Sequence, residues 1–187
     1  VANSKAIETM SLTTANSLET FLSQPDIETN PAWEFIAGDS AQKPRQTLFH
    51  SRLQRNLVNY INLHTEQLEA IQELRCIVSD YSPVPDIAVI AQSRLPETDE
   101  PFNGAPDWLI EIRSRDQSTL NLQNKILHCL NNGTQLAWLI DLTRQQIWVW
   151  QGDDLPNIYS ETDRLPSLGE LPPLTVNAVM AMTNRQG

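Results

Sequence analysis

The sequence predicts an α/β (α+β) fold, a mixed central β-sheet flanked by helices. Three observations predict it. Residues 45–64 and 118–132 carry apolar side chains at helical spacing. Residues 85–91 (PDIAVIA) and 136–141 (LAWLID) are nearly continuous apolar runs, as expected of strands covered on both faces. The second helix also joins a strand at 107–113 to the one at 136–141, a crossover that implies a parallel pair.

Residues 1–15 are rich in Ser, Thr, Asn and Ala and are expected to form a flexible N-terminus, with residues 16–187 as one domain. Residues 17–23 (SLETFLS) read as a short helix stopped by Pro25. Residues 33–37 (WEFIA) read as a short strand with Gly38-Asp39 as its turn. The helix at 45–64 follows Pro44 and shows the stripe Leu53, Leu57, Ile61, with His50 on the same stripe. Strands are expected at 74–79, 85–91, 107–113 and 136–141, and a fifth at 146–150 folds back on the fourth. Ser118 and Gly133 bracket the second long helix as N-cap and C′ residues. A Pro-rich tail ends in LPPLTVNAVM. Trp138, Trp148 and Trp150 read as core and hairpin-pairing residues rather than a stacking platform.

Composition narrows the function. The 187 residues include 13 Lys+Arg and 23 Asp+Glu, a formal charge of −10. Broad binding to a nucleic-acid backbone usually needs a basic face, so any such contact must be local or carried by a metal. No run of 18 apolar residues occurs, so no spanning helix is expected. The first residues lack the apolar stretch of a secretory signal, and Cys76 and Cys129 suit neither a disulfide framework nor a zinc site. A cytoplasmic location is the expectation. The chain has no Gly-rich phosphate loop, no G-x-S-x-G elbow, no H-E-x-x-H and no C-x-x-C.

What remains is a pair of acids in apolar strands. Asp86 opens one strand; Glu111 sits within DWLIEIR, on the face opposite Trp108, Ile110 and Ile112. A mid-strand carboxylate in a buried sheet must be paired or metal-bound. Two on neighbouring strands make a hard-oxygen site suited to Mg²⁺ or Mn²⁺. The alternatives are an ion pair of Glu111 with Arg113 or Lys125, and a strand-start turn role for Asp86. Lys125 shares a helix face with Asn121, His128 and Asn132. That face is either solvated or aimed at the carboxylates. His50 reads most simply as a hydrogen-bonded core histidine, and Glu34 as an acid near a turn.

Pro85-Asp86-Ile87, the run from Pro106 through Asp107, Trp108, Leu109, Ile110, Glu111, Ile112 and Arg113 to Ser114, then Lys125, Gly133 and Trp138-Leu139-Ile140-Asp141 together resemble the Uma-type restriction endonuclease family of the PD-(D/E)XK nuclease superfamily. WEFIAGD is similar to that family's Tyr-Glu-Leu-x-x-Gly-Glu opening, and His50 to the histidine at the start of its first long helix. The resemblance implies a restriction-endonuclease-like core and a Mg²⁺ or Mn²⁺ site built from Asp86 and Glu111. It implies Lys125 in place of the lysine that usually stands two residues after the glutamate, a position held here by Arg113. Arg113 would hold a phosphate oxygen or Glu111; His50 and Glu34 would be accessory. The chain departs from the pattern at Ser114-Arg115-Asp116, Asn121, Cys129 and Leu136-Ala137. The function expected is a metal-dependent endonuclease acting on DNA, with homodimerisation suggested because cutting both strands needs two sites. The alternatives are an inactive nuclease-like module binding nucleic acid or protein, and an α/β domain whose acids form only structural ion pairs.

Overall fold

A computed structural model describes residues 17–115, 117–152 and 155–185. The expected flexible segment 1–15 lies outside the described residues. The chain begins with helix α1 (Leu18–Leu22), whose N-cap Ser17 hydroxyl accepts the Thr20 N–H. A hairpin of β1 (Trp33–Ile36) and β2 (Asp39–Gln42) follows, then the long helix α2 (Leu48–His64). After it come β3 (Leu68–Gln72), β4 (Cys76–Ile77), β5 (Ile87–Ala91), β6 (Phe102–Asn103) and β7 (Trp108–Arg113). Helix α3 (Thr119–Asn131) leads to β8 (Leu136–Asp141), β9 (Gln146–Trp150), β10 (Asn157–Ser160) and helix α4 (Val176–Ala181).

Six strands form the main sheet in the order β10-β9-β8-β7-β5-β3. The expected crossover pair is parallel, with Trp108 opposite Leu136 and Arg113 opposite Asp141; the other neighbours in the sheet are antiparallel. The sheet is therefore mixed, and it is covered on both faces. Leu53, Leu57 and Ile61 of α2 and Val176 and Val179 of α4 pack on the face bearing Trp108, Ile110 and Trp138. Leu122, Ile126 and Cys129 of α3 pack on the other, against Ala88, Leu109 and Leu139. Trp108 and Trp138 meet edge to face at 4.7 Å, and the Trp138 indole donates to the Pro166 carbonyl. Gly133 ends α3 with φ +112°, a conformation that favours a residue without Cβ.

Five elements differ from the sequence expectation. The helix expected from residue 45 starts at Leu48, because the Thr47 hydroxyl accepts the His50 N–H and sets the first turn there. The turn expected after WEFIA is a full hairpin, whose second strand, DSAQ, is too polar to show a strand pattern. In the segment expected as a strand at 74–79, only Cys76–Ile77 forms a strand, paired with β6 outside the main sheet, and Val78 adds an isolated bridge to Tyr81. Arg75 explains this. Its buried guanidinium bonds Glu28, the Ser82 hydroxyl and the carbonyls of Ile27 and Trp33, tying this stretch to the N-terminal segment. The edge of the main sheet is taken instead by LEAIQ, where the Asn62 side-chain amide bonds both the N–H and the C=O of Ala70. β10 was likewise not expected within the Pro-rich tail.

Ser82 exchanges two backbone hydrogen bonds with Phe35, so Arg75 also fixes the strand that carries Glu34. Replacing Arg75 by Met strands the Ser82 hydroxyl and two carbonyls in the interior. Urea denaturation should show a loss of about 2–4 kcal/mol; a loss below about 0.5 kcal/mol, the range of ordinary surface changes, would remove Arg75 from this role.

Candidate active site

The register of the sheet brings the two acids together. Ile87 lies opposite Ile110 in the antiparallel β5–β7 pair. One residue further, the same register sets Asp86 against Glu111, so the two side chains share a face. Asp86 is 3% exposed and Glu111 1%. The Asp86 Oδ2 accepts the Ile112 N–H at 2.7 Å, which locks the carboxylate across the strand pair.

Three other elements close on this pair. The Ser118 cap sets the start of α3, and Lys125 comes two turns later on its inner side, 2% exposed. The solvated-face alternative for Lys125 is thereby corrected. Leu122, Lys125, Ile126 and Cys129 all point inward, whereas Asn121 is exposed and His128 stacks on Tyr81 at 3.5 Å. The Lys125 Nζ lies 2.7 Å from Glu111 Oε1 and 2.8 Å from Glu34 Oε1. Glu34 Oε1 also accepts the Val84 N–H at 2.7 Å, so β1 places it and the Asp86 strand entry holds it. His50, in the first turn of α2, brings Nε2 to 3.4 Å from Asp86 Oδ1.

The fold thus gathers Asp86, Glu111, Lys125, Glu34 and His50. It directs Arg113 elsewhere: Nη1 donates to Asp141 Oδ2 at 3.0 Å, its partner in the parallel register, and not to Glu111. Sequence reasoning missed Lys43. This residue follows β2 and is 7% exposed, with Nζ at 2.8 Å from Asp86 Oδ1, 2.7 Å from the Val84 carbonyl and 3.1 Å from Glu73 Oε1. It lies in QKPR, where no periodicity marks a residue as buried; its nearness to WEFIAGD was the one available hint.

Burial and charge divide the protons unequally. Burial alone would raise the Asp86 carboxyl, but the Lys43 ammonium and the His50 imidazole outweigh it and hold Asp86 far below the usual carboxylate range. Glu111 is pushed up to about 8; burial is the largest cause, Lys125 opposes it and the Asp86 charge adds to it. Lys125 and Lys43 are both buried, yet their acid neighbours hold them above the ordinary lysine range.

Among the described residues, no group of three or more His, Cys, Asp or Glu is arranged to hold a metal ion. Two opposed carboxylates are nevertheless the number Mg²⁺ commonly takes from protein, the rest of its shell being water and substrate oxygen. The site already holds a cation, since the Lys43 ammonium sits among three oxygens. The donor set fits a hard divalent ion. A cleft of about 330 Å³ reaches Glu34 and the two lysines in contact with the acids, Lys43 and Lys125, while Asp86 and Glu111 themselves lie behind its wall.

A family model described as "Putative restriction endonuclease" (Uma2) matches residues 18–181. The chain belongs to the Uma2 family. A solved structure from Anabaena variabilis ATCC 29413, described as a "putative nuclease belonging to DUF820", is 36% identical, with a TM-score of 0.82, covering 90% of this chain and 99% of that one. No curated protein matches. In this Uma2 chain no helix among the described residues is long and apolar enough to cross a membrane.

The raised Glu111 has a consequence for stability. The folded chain keeps this proton after the unfolded chain has lost it, so folding weakens as pH rises from the ordinary glutamate range toward about 8. Without divalent ions, the thermal midpoint of the natural protein should fall relative to E111Q across that window. A constant gap would mean that Lys125 keeps Glu111 ionised throughout.

Proposed function

We propose that this Uma2 protein is a divalent-metal-dependent endonuclease that hydrolyses DNA phosphodiester bonds, with residues 16–187 acting as one nuclease-like domain in the cytoplasm. The observation that carries the reading is the buried trio: Asp86 faces Glu111 across two strands, and Lys125 stands 2.7 Å from Glu111. Asp86 and Glu111 would hold Mg²⁺ or Mn²⁺. When bound, that ion supplies Lewis-acid polarisation of the scissile phosphate and a more acidic water.

The chain's own residues do the rest. Lys125, fixed between Glu111 and Glu34, points a rigid N–H donor at the nucleophilic water and stabilises charge that builds on the phosphate. Glu34 is a positioning residue, since it holds the Lys125 ammonium. His50 supports Asp86 from α2. Arg113, paired with Asp141 at the end of β7, keeps a fixed guanidinium for a neighbouring phosphate oxygen. Contact with DNA is local, because the chain carries −10 overall. Two copies would serve the two strands.

A second reading is favoured by one observation. Lys43 neutralises Asp86 directly, as it would in a nuclease-like module that no longer cuts and only binds nucleic acid or protein.

Plasmid cleavage with Mg²⁺ or Mn²⁺ tests the first reading. D86N, E111Q and K125A should each lose about 10²-fold or more of the rate. E34Q should lose about 10–100-fold, as changes behind a ligand or catalytic group commonly do. Full activity in D86N or E111Q overturns the mechanism.

A further inference from the structure

Lys43 stands where an incoming metal ion must bind. Asp86 has two oxygens, and Oδ2 is committed to the Ile112 N–H at 2.7 Å. Oδ1 has no backbone donor, and it is the oxygen the Lys43 ammonium holds at 2.8 Å, with His50 Nε2 further off at 3.4 Å. The Val84 carbonyl at 2.7 Å and Glu73 Oε1 at 3.1 Å complete an oxygen shell around the nitrogen. The Lys43 side chain is 5% exposed, so the ammonium fills this position rather than brushing its rim. Two cations on one buried carboxylate oxygen repel strongly, because little water screens them.

We propose that Lys43 is an internal cation that competes with the divalent ion for Asp86, and that metal binding requires its ammonium to swing outward. The inference rests on the metal-dependent reading above and goes beyond it, by making the metal-free site a closed state. The surroundings permit the swing. Lys43 belongs to the stretch between β2 and α2 that has no regular structure, and its own N–H stays anchored to the Ala32 carbonyl at 2.9 Å. The side chain can move while the backbone holds. Clefts of about 330 Å³ and about 360 Å³ flank it, and both include Lys43 in their walls. Glu73 offers an outer resting place. Its side chain is 34% exposed and is steadied by Gln46 and Gln54, so the ammonium can leave Asp86 without losing every partner.

Calorimetric titration of the metal-free protein with Mn²⁺ tests this directly. K43M should bind Mn²⁺ at least tenfold more tightly than the natural protein, and the double variant K43M/D86N should bind none. Equal affinity in K43M and the natural protein overturns the competition and leaves the metal-dependent reading intact. Failure of both to bind overturns that reading, and the inference falls with it. K43M could lose stability by removing a buried partner of Asp86, so a second measurement uses the unaltered chain. Reductive methylation read by peptide mass spectrometry should find Lys43 protected without metal and labelled several-fold faster at saturating Mn²⁺. Labelling unchanged by bound Mn²⁺ overturns the proposal.

Discussion

Two carboxylates set face to face in a dry interior cannot both carry charge unless cations stand beside them. That constraint organises this protein. Asp86 and Glu111 are opposed because β5 and β7 pair in one register, and a slip of a single residue would turn them to different faces. Everything around them supplies positive charge or fixes what does. α3 delivers Lys125 and the exit from the hairpin delivers Lys43, while the first turn of α2 sets the His50 ring 3.4 Å from Asp86. The sheet is thus both the core of the fold and the ruler that spaces the chemistry.

The division of protons follows from which cation each acid meets. Asp86 has Lys43, His50 and a backbone N–H and stays ionised. Glu111 shares its one close cation, Lys125, with Glu34, so its charge is less fully met. An asymmetric pair of this kind is how one interior holds an anion and a readily protonated acid side by side.

The parts of this arrangement that the sequence made legible are those with a period. LAWLID and QIWVW coincide with β8 and β9, residue for residue, because each is bounded by turn residues and buried on at least one face. α3 was bracketed by Ser118 and Gly133, both of which act as expected. The acids stood out because charge inside an apolar strand is expensive. Lys125 was ambiguous because helical spacing names a face without saying what it meets; the packing of Leu122 and Ile126 turned it inward. Lys43 was illegible because its burial comes from loop geometry and from residues 30 and more positions away, Glu73 and Asp86. β3 was hidden because LEAIQ alternates only weakly, and what makes it a strand is its pairing with β5.

The Asn62 amide on β3 bears on how this molecule behaves among its own copies. By occupying both outward main-chain groups of Ala70, it blunts that rim of the sheet at its midpoint. A neighbouring chain seeking to stack strand upon strand finds no continuous ladder there. The opposite rim is formed by the short β10, four residues long and carrying the exposed Ile158, so the two rims of the sheet are unlike: one is blunted by a side-chain amide, the other only by its brevity.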